Sequence, residues 1–526
     1  MKRNYFLYLT TFLCGAAIMG VEIASSRFMA PYFGSSMITW TIIIGVIMVA
    51  MSIGNLLGGH LADHHDPAKR LYQLILAAAL WIAMIPLLGK YLVAAIAVGA
   101  VALFPGDAIL VGSLCSCIAL FATPCIILGA TSPCMIKTAT ENLENNGRVA
   151  GEIYGLSTVG SIFGTFLPTF LTIPFLGTDK TFLLFAGILA LLALAGAVRR
   201  KMPATNPAIM LLLVVLLASL PTLPAFAFWE TPLCETESVY NYLLVKKNDA
   251  VTTLSTHVLL GTQSMYVPGP GLTGLYYDMA LLAHFFLSPV QGSEKLPILV
   301  LGFATGTYAK LARQFFPESA IDGVEIDPEI VRLGRQYFAL KDSDARVFVE
   351  DGRVFVNRTD NRYRIIFLDA FQDVTYPFHM ATREFFVRLA GILDEDGVLA
   401  INVNLRSPFR PDLIDYLTGT LKCVFSEVVV CDHPDYYNRI IFAMNNPKML
   451  DTFKSRTAVL PAEHPLFSLA EKAAAGLTLA TPSQLILTDD LAPVELIGFK
   501  MLNEQVREAW HEIIARLIAA VKENLG

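Results

Sequence analysis

The sequence predicts a multi-pass α-helical membrane domain followed by an α/β domain with a doubly wound parallel sheet, with a small β-strand unit between them. Three observations carry this reading. Of 526 residues, 54% are hydrophobic and 16% charged, whereas an average soluble chain is about 25% charged. Residues 1–228 carry 12 Lys and Arg against 8 Asp and Glu, while 229–526 carry 27 against 37, so the chain changes character near residue 229. Beyond residue 296, short apolar runs alternate with helical segments and end in glycine or an acid. The expected division is therefore 1–228, 229–295 and 296–526. Disordered, collagen-like and disulfide-scaffold classes are excluded by the same composition. An acidic second half gives no electrostatic reason to expect nucleic acid.

In the first part, residues 28–62, 71–89, 108–136, 181–198 and 202–229 contain no Lys, Arg, Asp or Glu. About 20 mostly apolar residues cross a bilayer as a helix. Spans are expected near 5–25, 37–60, 71–89, 108–130, 152–174, 180–198 and 207–226. The apolar stretch 91–104 is an eighth crossing or an interfacial helix. Lys2 and Arg3, the His64–Arg70 loop and Arg199–Lys201 assign their segments to the inside. Seven spans leave the second half outside and eight bring it in; a cytoplasmic second half, in an integral protein of the cell (inner) membrane, is the expectation. Glu22, Arg27, Asn55, His60 and Glu152 are polar at lipid depth, open to a functional use or to pairing within the bundle. Gly54, Gly58 and Gly59 suit close helix packing. Eight scattered cysteines, without CxxC or Cys/His ligand spacing, imply no metal.

After residue 229, Val239–Val245 and Val251–Leu260 read as strands of the small β unit. A βα pattern follows. Ile298–Leu301 ends in Gly302-Phe-Ala-Thr-Gly306 before a helix closed by Pro317. Ala320–Val324 ends in Glu325-Ile-Asp327, and Pro328 suits the first turn of the next helix. Arg346–Val349 ends in Glu350-Asp351-Gly352, and Arg364–Leu368 in Asp369; Val398–Asn402 is the fifth strand. Ligands of such sheets bind outside the carboxyl ends of the strands. Glycines after the first strand admit a cofactor to the backbone, and an acid about 20 residues on binds a ribose diol; Glu325 lies 23 residues after Gly302. The Gly-x-x-x-Gly loop lacks the pyrophosphate seat of a dinucleotide site. It suits a nucleoside without phosphates, such as S-adenosylmethionine or a derivative.

With these residues in view, the chain resembles the spermidine synthase family of aminopropyltransferases, in its membrane-fused branch, over about residues 235–450. Leu301–Gly306 looks like its glycine-rich loop, Gly323–Pro328 its ribose-binding strand end, Glu350–Arg353 its adenine turn, and Leu368–Phe371 the strand with its catalytic aspartate. Leu260–Gln263 and Tyr276–Met279, with His284, resemble the substrate-side segment. The resemblance implies a Rossmann-like domain of the S-adenosylmethionine methyltransferase type. It implies transfer of an aminopropyl group from decarboxylated S-adenosylmethionine to an amine such as putrescine, with release of methylthioadenosine. Asp369 would deprotonate the amine with help from Tyr276. Gly302, Gly306, Glu325, Asp351 and Gly352 would hold the nucleoside, and Gln263, Asp278 and Gln372 the substrate. A small-molecule amine, a lipid bilayer and a second copy of the chain are the expected partners.

Two positions depart from the soluble enzymes. The aspartate before their last loop glycine is here Thr305, and the second aspartate of their catalytic loop is Gln372, with Asp373 one further on. Both missing acids help bind cationic amines in the family, and Thr305 would tolerate the carboxylate of intact S-adenosylmethionine. Two alternatives thus stand beside amine transfer: an S-adenosylmethionine-dependent methyltransferase or another enzyme consuming that cofactor, and a transporter-like sensor that only binds a nucleoside or polyamine. Tyr376–His379 is a candidate lid, and Asn503–Leu525 a candidate amphipathic helix.

Overall fold

The computed structural model describes residues 5–140, 146–203, 205–219, 224–258, 261–289, 294–370, 377–404, 411–433 and 438–508. Gln372, Asp373 and the tail beyond residue 508 lie outside the described residues. The chain forms two compact units, one built on Met1–Thr231 and one on Pro232–Thr256 with Leu260–Glu508.

Among the described residues of the first unit, six helices are long and apolar enough to cross a membrane: Tyr5–Phe33, Met37–His64, Pro67–Leu103, Ala108–Ala139, Asn146–Leu176 and Thr178–Arg199. Thr205–Ser219 is a further apolar helix of 15 residues. The expectation of seven or eight spans is corrected in one respect. Residues 91–103 are no separate crossing, because the helix begun at Pro67 runs on to Leu103. Pro86 lies in a π-helical turn, Ile85–Gly89. Proline lacks an N–H and its ring crowds the carbonyl four residues back, and a widened turn lets the helix continue. Two more π-turns, Ile118–Ala122 and Pro168–Thr172, stand beside Pro124 and at Pro168.

Glycines set the helix contacts. A Cβ on Gly160 would lie 2.0 Å from the Phe12 carbonyl oxygen, and one on Gly164 2.1 Å from that of Ala16. The backbones therefore meet with nothing between them. Gly54 and Gly58 meet Ile126 and Ala130 in the same way, as their spacing predicts, whereas Gly59, expected to pack with them, has nothing within 4 Å of a Cβ position. Glu152 accepts hydrogen bonds from the Tyr8 hydroxyl at 2.6 Å and Arg148 Nε at 2.9 Å, so this carboxylate serves the bundle. Lys90, 2% exposed, is paired with Asp179 at 2.6 Å.

The second unit begins with an antiparallel meander of β1 (Cys234–Glu237), β2 (Tyr242–Asn248), β3 (Val251–Ser255) and β4 (Ser264–Tyr266). The strand expected over 239–245 is instead interrupted by the 238–241 turn. Ser238 Oγ and Asn241 Nδ2 both donate to Asp327 Oδ2, at 2.5 and 2.9 Å, and hold that turn closed.

The main sheet holds β5 (Leu296–Leu301), β6 (Ser319–Glu325), β7 (Arg346–Val349), β8 (Tyr363–Leu368), β9 (Leu393–Val403), β10 (Glu427–Asp432), β11 (Arg439–Met444) and β12 (Thr478–Leu479). Its order is β12-β10-β11-β9-β8-β5-β6-β7. The strands from β7 to β9 are parallel. The five strands expected to be parallel are so, and at the other edge the sheet adds β11, β10 and β12, which run antiparallel. Alternate residues feed two cores, as the two-residue period of a strand requires. Ile298, Val300, Phe367 and Ala400 lie in one, and Leu299, Leu301, Ile366, Leu368, Leu399 and Ile401 in the other. Burial on both faces explains why these strands read as unbroken apolar runs.

Candidate active site

Strand register assembles the site. Leu301 pairs with Val324 on one side and Leu368 on the other, and Leu368 pairs with Ile401. The next residue on each strand, Glu325, Gly302, Asp369 and Asn402, therefore stands in one row at the carboxyl edge. Residues 350–352 follow β7 beside them. Gly302, Glu325, Asp351, Gly352, Asp369 and Gln263 all line one cavity of about 170 Å³, several times the room an ordered water takes.

Gly302 is required twice over. Its φ is +81°, and a Cβ there would stand 2.3 Å from the Asp369 backbone oxygen. Gly352 gives the cavity a second smooth wall, since a Cβ would press on Met380 at 2.8 Å. Gly306 does a different job from the one expected. It does not line the cavity; at φ +83° it turns the chain into the helix Thr307–Phe315 under Leu340 and Phe303.

Glu325 is 7% exposed and accepts from the Ala304 N–H at 2.8 Å and the Asp327 N–H at 3.1 Å. Burial, only partly offset by these donors, pushes its carboxyl up to about 7. Asp369 is half-buried, with one edge on the cavity. Its Oδ2 accepts from the Tyr276 hydroxyl at 2.8 Å and its Oδ1 from Asn402 Nδ2 at 2.8 Å. Burial dominates here too, and with the nearby Glu325 charge raises it to about 7 against the two donors. The Tyr276 phenol is held well above its ordinary value by burial and by Asp369, so it stays a donor. Asp351 caps the helix Gly352–Arg358 through Val354 N–H at 2.9 Å, while its Oδ2 is 3.3 Å from His379 Nε2.

Three expectations are corrected. Asp278 does not line the cavity. Its carboxylate accepts from the Thr273 N–H, the Thr273 hydroxyl and the Gly274 N–H at 3.0, 2.8 and 2.6 Å, so it shapes the 273–278 loop. Thr305 is buried with its hydroxyl 2.6 Å from Ser264 Oγ, and its neighbour Ala304, not Thr305, lines the cavity. His284 stacks on Phe316 at 3.8 Å in the core rather than facing substrate. Gln263 does line the cavity, and its backbone oxygen accepts from Tyr277. Asn402 and the 238–241 turn, which brings Tyr240 and Asn241 to the wall, were outside the expected set. Their only signal in the sequence is a polar strand end and a Ser-x-x-Asn spacing.

Such a row of glycine and carboxylates at the edge of a largely parallel sheet defines an α/β domain of the S-adenosylmethionine methyltransferase type. Residues 279–455 match the spermine/spermidine synthase domain. A probable polyamine aminopropyl transferase of Bifidobacterium longum is 35% identical over 303 residues, covering 54% of this chain and 67% of that protein. A polyamine aminopropyltransferase of Vibrio vulnificus is 30% identical over 210 residues, covering 38% and 69%. The crystal structure of a probable spermidine synthase from Corynebacterium glutamicum shares 23% identity, covering 48% of this chain and 97% of that one, with a TM-score of 0.38. The chain belongs to the spermine/spermidine synthase family and is an aminopropyltransferase-type enzyme.

Proposed function

We propose that the second unit transfers an aminopropyl group from decarboxylated S-adenosylmethionine to an amine such as putrescine and releases methylthioadenosine. The observation that carries this reading is Asp369, set beside Gly302 on the cavity with both oxygens engaged by neutral donors. An amine attacks carbon only when neutral, yet its pKa is near that of Lys, about 10. Asp369, raised to about 7, is a base suited to take that proton near neutral pH. In the transfer, Asp369 first takes the ammonium proton; the C–N bond then forms as the C–S bond breaks, the sulfur keeps the electron pair and leaves in methylthioadenosine, and the new secondary amine departs as its ammonium ion.

Glu325 sits where a ribose diol would meet it, one strand from Gly302, and Asp351 would accept from the adenine amino group. Gly302 and Gly352 leave room that a side chain would fill. Gln263 would contact the amine, and Gln372 belongs to the same role. The electrophile is the propyl carbon bonded to the sulfonium, whose sulfur is the leaving group, and no metal is called for in this displacement. The first unit would seat the enzyme in the cell membrane with the second unit on the cytoplasmic side, as at least a homodimer.

Detergent-purified full-length protein, incubated with S-adenosylmethionine or its decarboxylated form, with and without putrescine, tests this by mass spectrometry. Methylthioadenosine formed only with the decarboxylated form and an amine is the expected product. S-adenosylhomocysteine would point to methyl transfer, and neither product, with tight nucleoside binding, to a sensor.

A further inference from the structure

Both oxygens of Asp369 are tied to neighbours, and the two ties differ in kind. Tyr276 reaches Oδ2 from the helix Tyr276–Ala280. Asn402 reaches Oδ1 from the adjacent strand β9, where pairing of Leu368 with Ile401 makes Asp369 and Asn402 neighbours. Asn402 is 1% exposed. Its own side-chain oxygen accepts from Asn438 Nδ2 at 3.1 Å, just before β11. Pairing of Asn402 with Ile440 fixes that approach. An amide has one donor end and one acceptor end. Asn438, by donating to the oxygen, turns the NH₂ of Asn402 toward the carboxylate; the flipped amide would set oxygen against oxygen.

We propose that Asn402, aligned by Asn438, is a positioning residue that holds the Asp369 carboxylate in one orientation and favours its charged form. This rests on the reading of Asp369 as the base that takes the amine proton. Among the described residues, the groups facing Asp369 from the elements packed around it are Tyr276 and Tyr277 on the helix, Glu325 on β6 and Asn402 on β9. Glu325 works against the charged form, and burial does so more strongly. Of the two donors, Tyr276 alone would leave the carboxylate free to swing about its contact. The paired asparagines remove that freedom without adding a charge that would compete for the cationic substrate.

The test uses full-length protein in detergent. The protonated-carboxyl band of Asp369 is assigned by infrared difference between wild type and Asp369→Asn and titrated with pH. In Asn402→Leu, similar in shape but without a donor, the midpoint should rise by about 1–2 pH units, the shift matching loss of one hydrogen bond to a charged group. Asn438→Ala, which leaves the buried strand intact, should move it in the same direction by less. With decarboxylated S-adenosylmethionine and putrescine, the acid limb of kcat/KM should follow the infrared midpoint while KM for the nucleoside holds. An unmoved midpoint in both variants, with native melting temperatures, overturns the proposal. A shifted midpoint in protein that makes no methylthioadenosine supports the asparagine pairing and removes the transfer reading instead.

Discussion

Asp369→Asn is expected to make the protein more stable at alkaline pH while abolishing its chemistry. The folded-state carboxyl lies at about 7 against an ordinary value of 3.8. The folded chain therefore holds a proton that the unfolded chain releases between those values. Stability from this group is fully present below the ordinary value and is lost as pH rises through about 7. At about 1.4 kcal/mol per pH unit, the shift corresponds to roughly 4 kcal/mol as a ceiling. The cavity wets one edge of Asp369, so about half of that is a fair figure. Asparagine keeps the volume but loses part of the Tyr276 and Asn402 bonding, about 1 kcal/mol. A net gain of about 1 kcal/mol is expected near pH 8.5, and none or a small loss near pH 5. Melting of detergent-purified wild type and variant across this range measures it. An advantage of the same size at both ends would refute the argument that burial holds the proton. Turnover should fall by about 10²–10⁴ in the same variant.

Three further outcomes are expected. Gly302→Ala forces a Cβ to within 2.3 Å of the Asp369 oxygen at φ +81°, so it should cost about 1–3 kcal/mol or more and weaken nucleoside affinity, read by melting and calorimetry. Asp278→Ala should lower the melting temperature by orphaning the Gly274 N–H and both Thr273 donors, while leaving KM for the amine unchanged; a selective rise in KM would restore it to the substrate site. Gly160→Leu should wedge apart the helices that meet at Phe12 and cost about 1–3 kcal/mol, measured as loss of monodispersity and thermal stability in detergent.

The acids at strand ends were legible because each lies within two residues of the end of an apolar run. A strand in a parallel sheet announces itself by that run, and its last residue is the one that meets ligand. Glu325, Asp351 and Asp369 all reached the cavity wall on this basis. Asp278 stands off the cavity lining, and the motif Tyr-Tyr-Asp-Met gives its residue type but not its direction. Three donors within five residues turn it inward. Asn402 was visible as the end of a strand, but its partnership with Asp369 depends on a register between residues 33 apart in sequence. The antiparallel edge escaped because β10 and β11 are short apolar strands like the rest, and nothing local marks their direction. In the first unit the long apolar runs located the helices, whereas the stretch 91–104 read as a separate segment although a π-turn at Pro86 carries the helix from Pro67 through it.

One tier of hydrogen-bonded pairs, from Ile401 through Leu368 and Leu301 to Val324, decides where the chemistry stands. The helices and connections between these strands can lengthen, shorten or change their surface without shifting any member of the row. What the architecture cannot absorb is a single residue gained or lost inside a strand, which would send an acid to the opposite face. The edge that carries the candidate site is thus written in the spacing of the buried strands, leaving the exterior free to diverge and to acquire attachments as large as a bundle of long apolar helices.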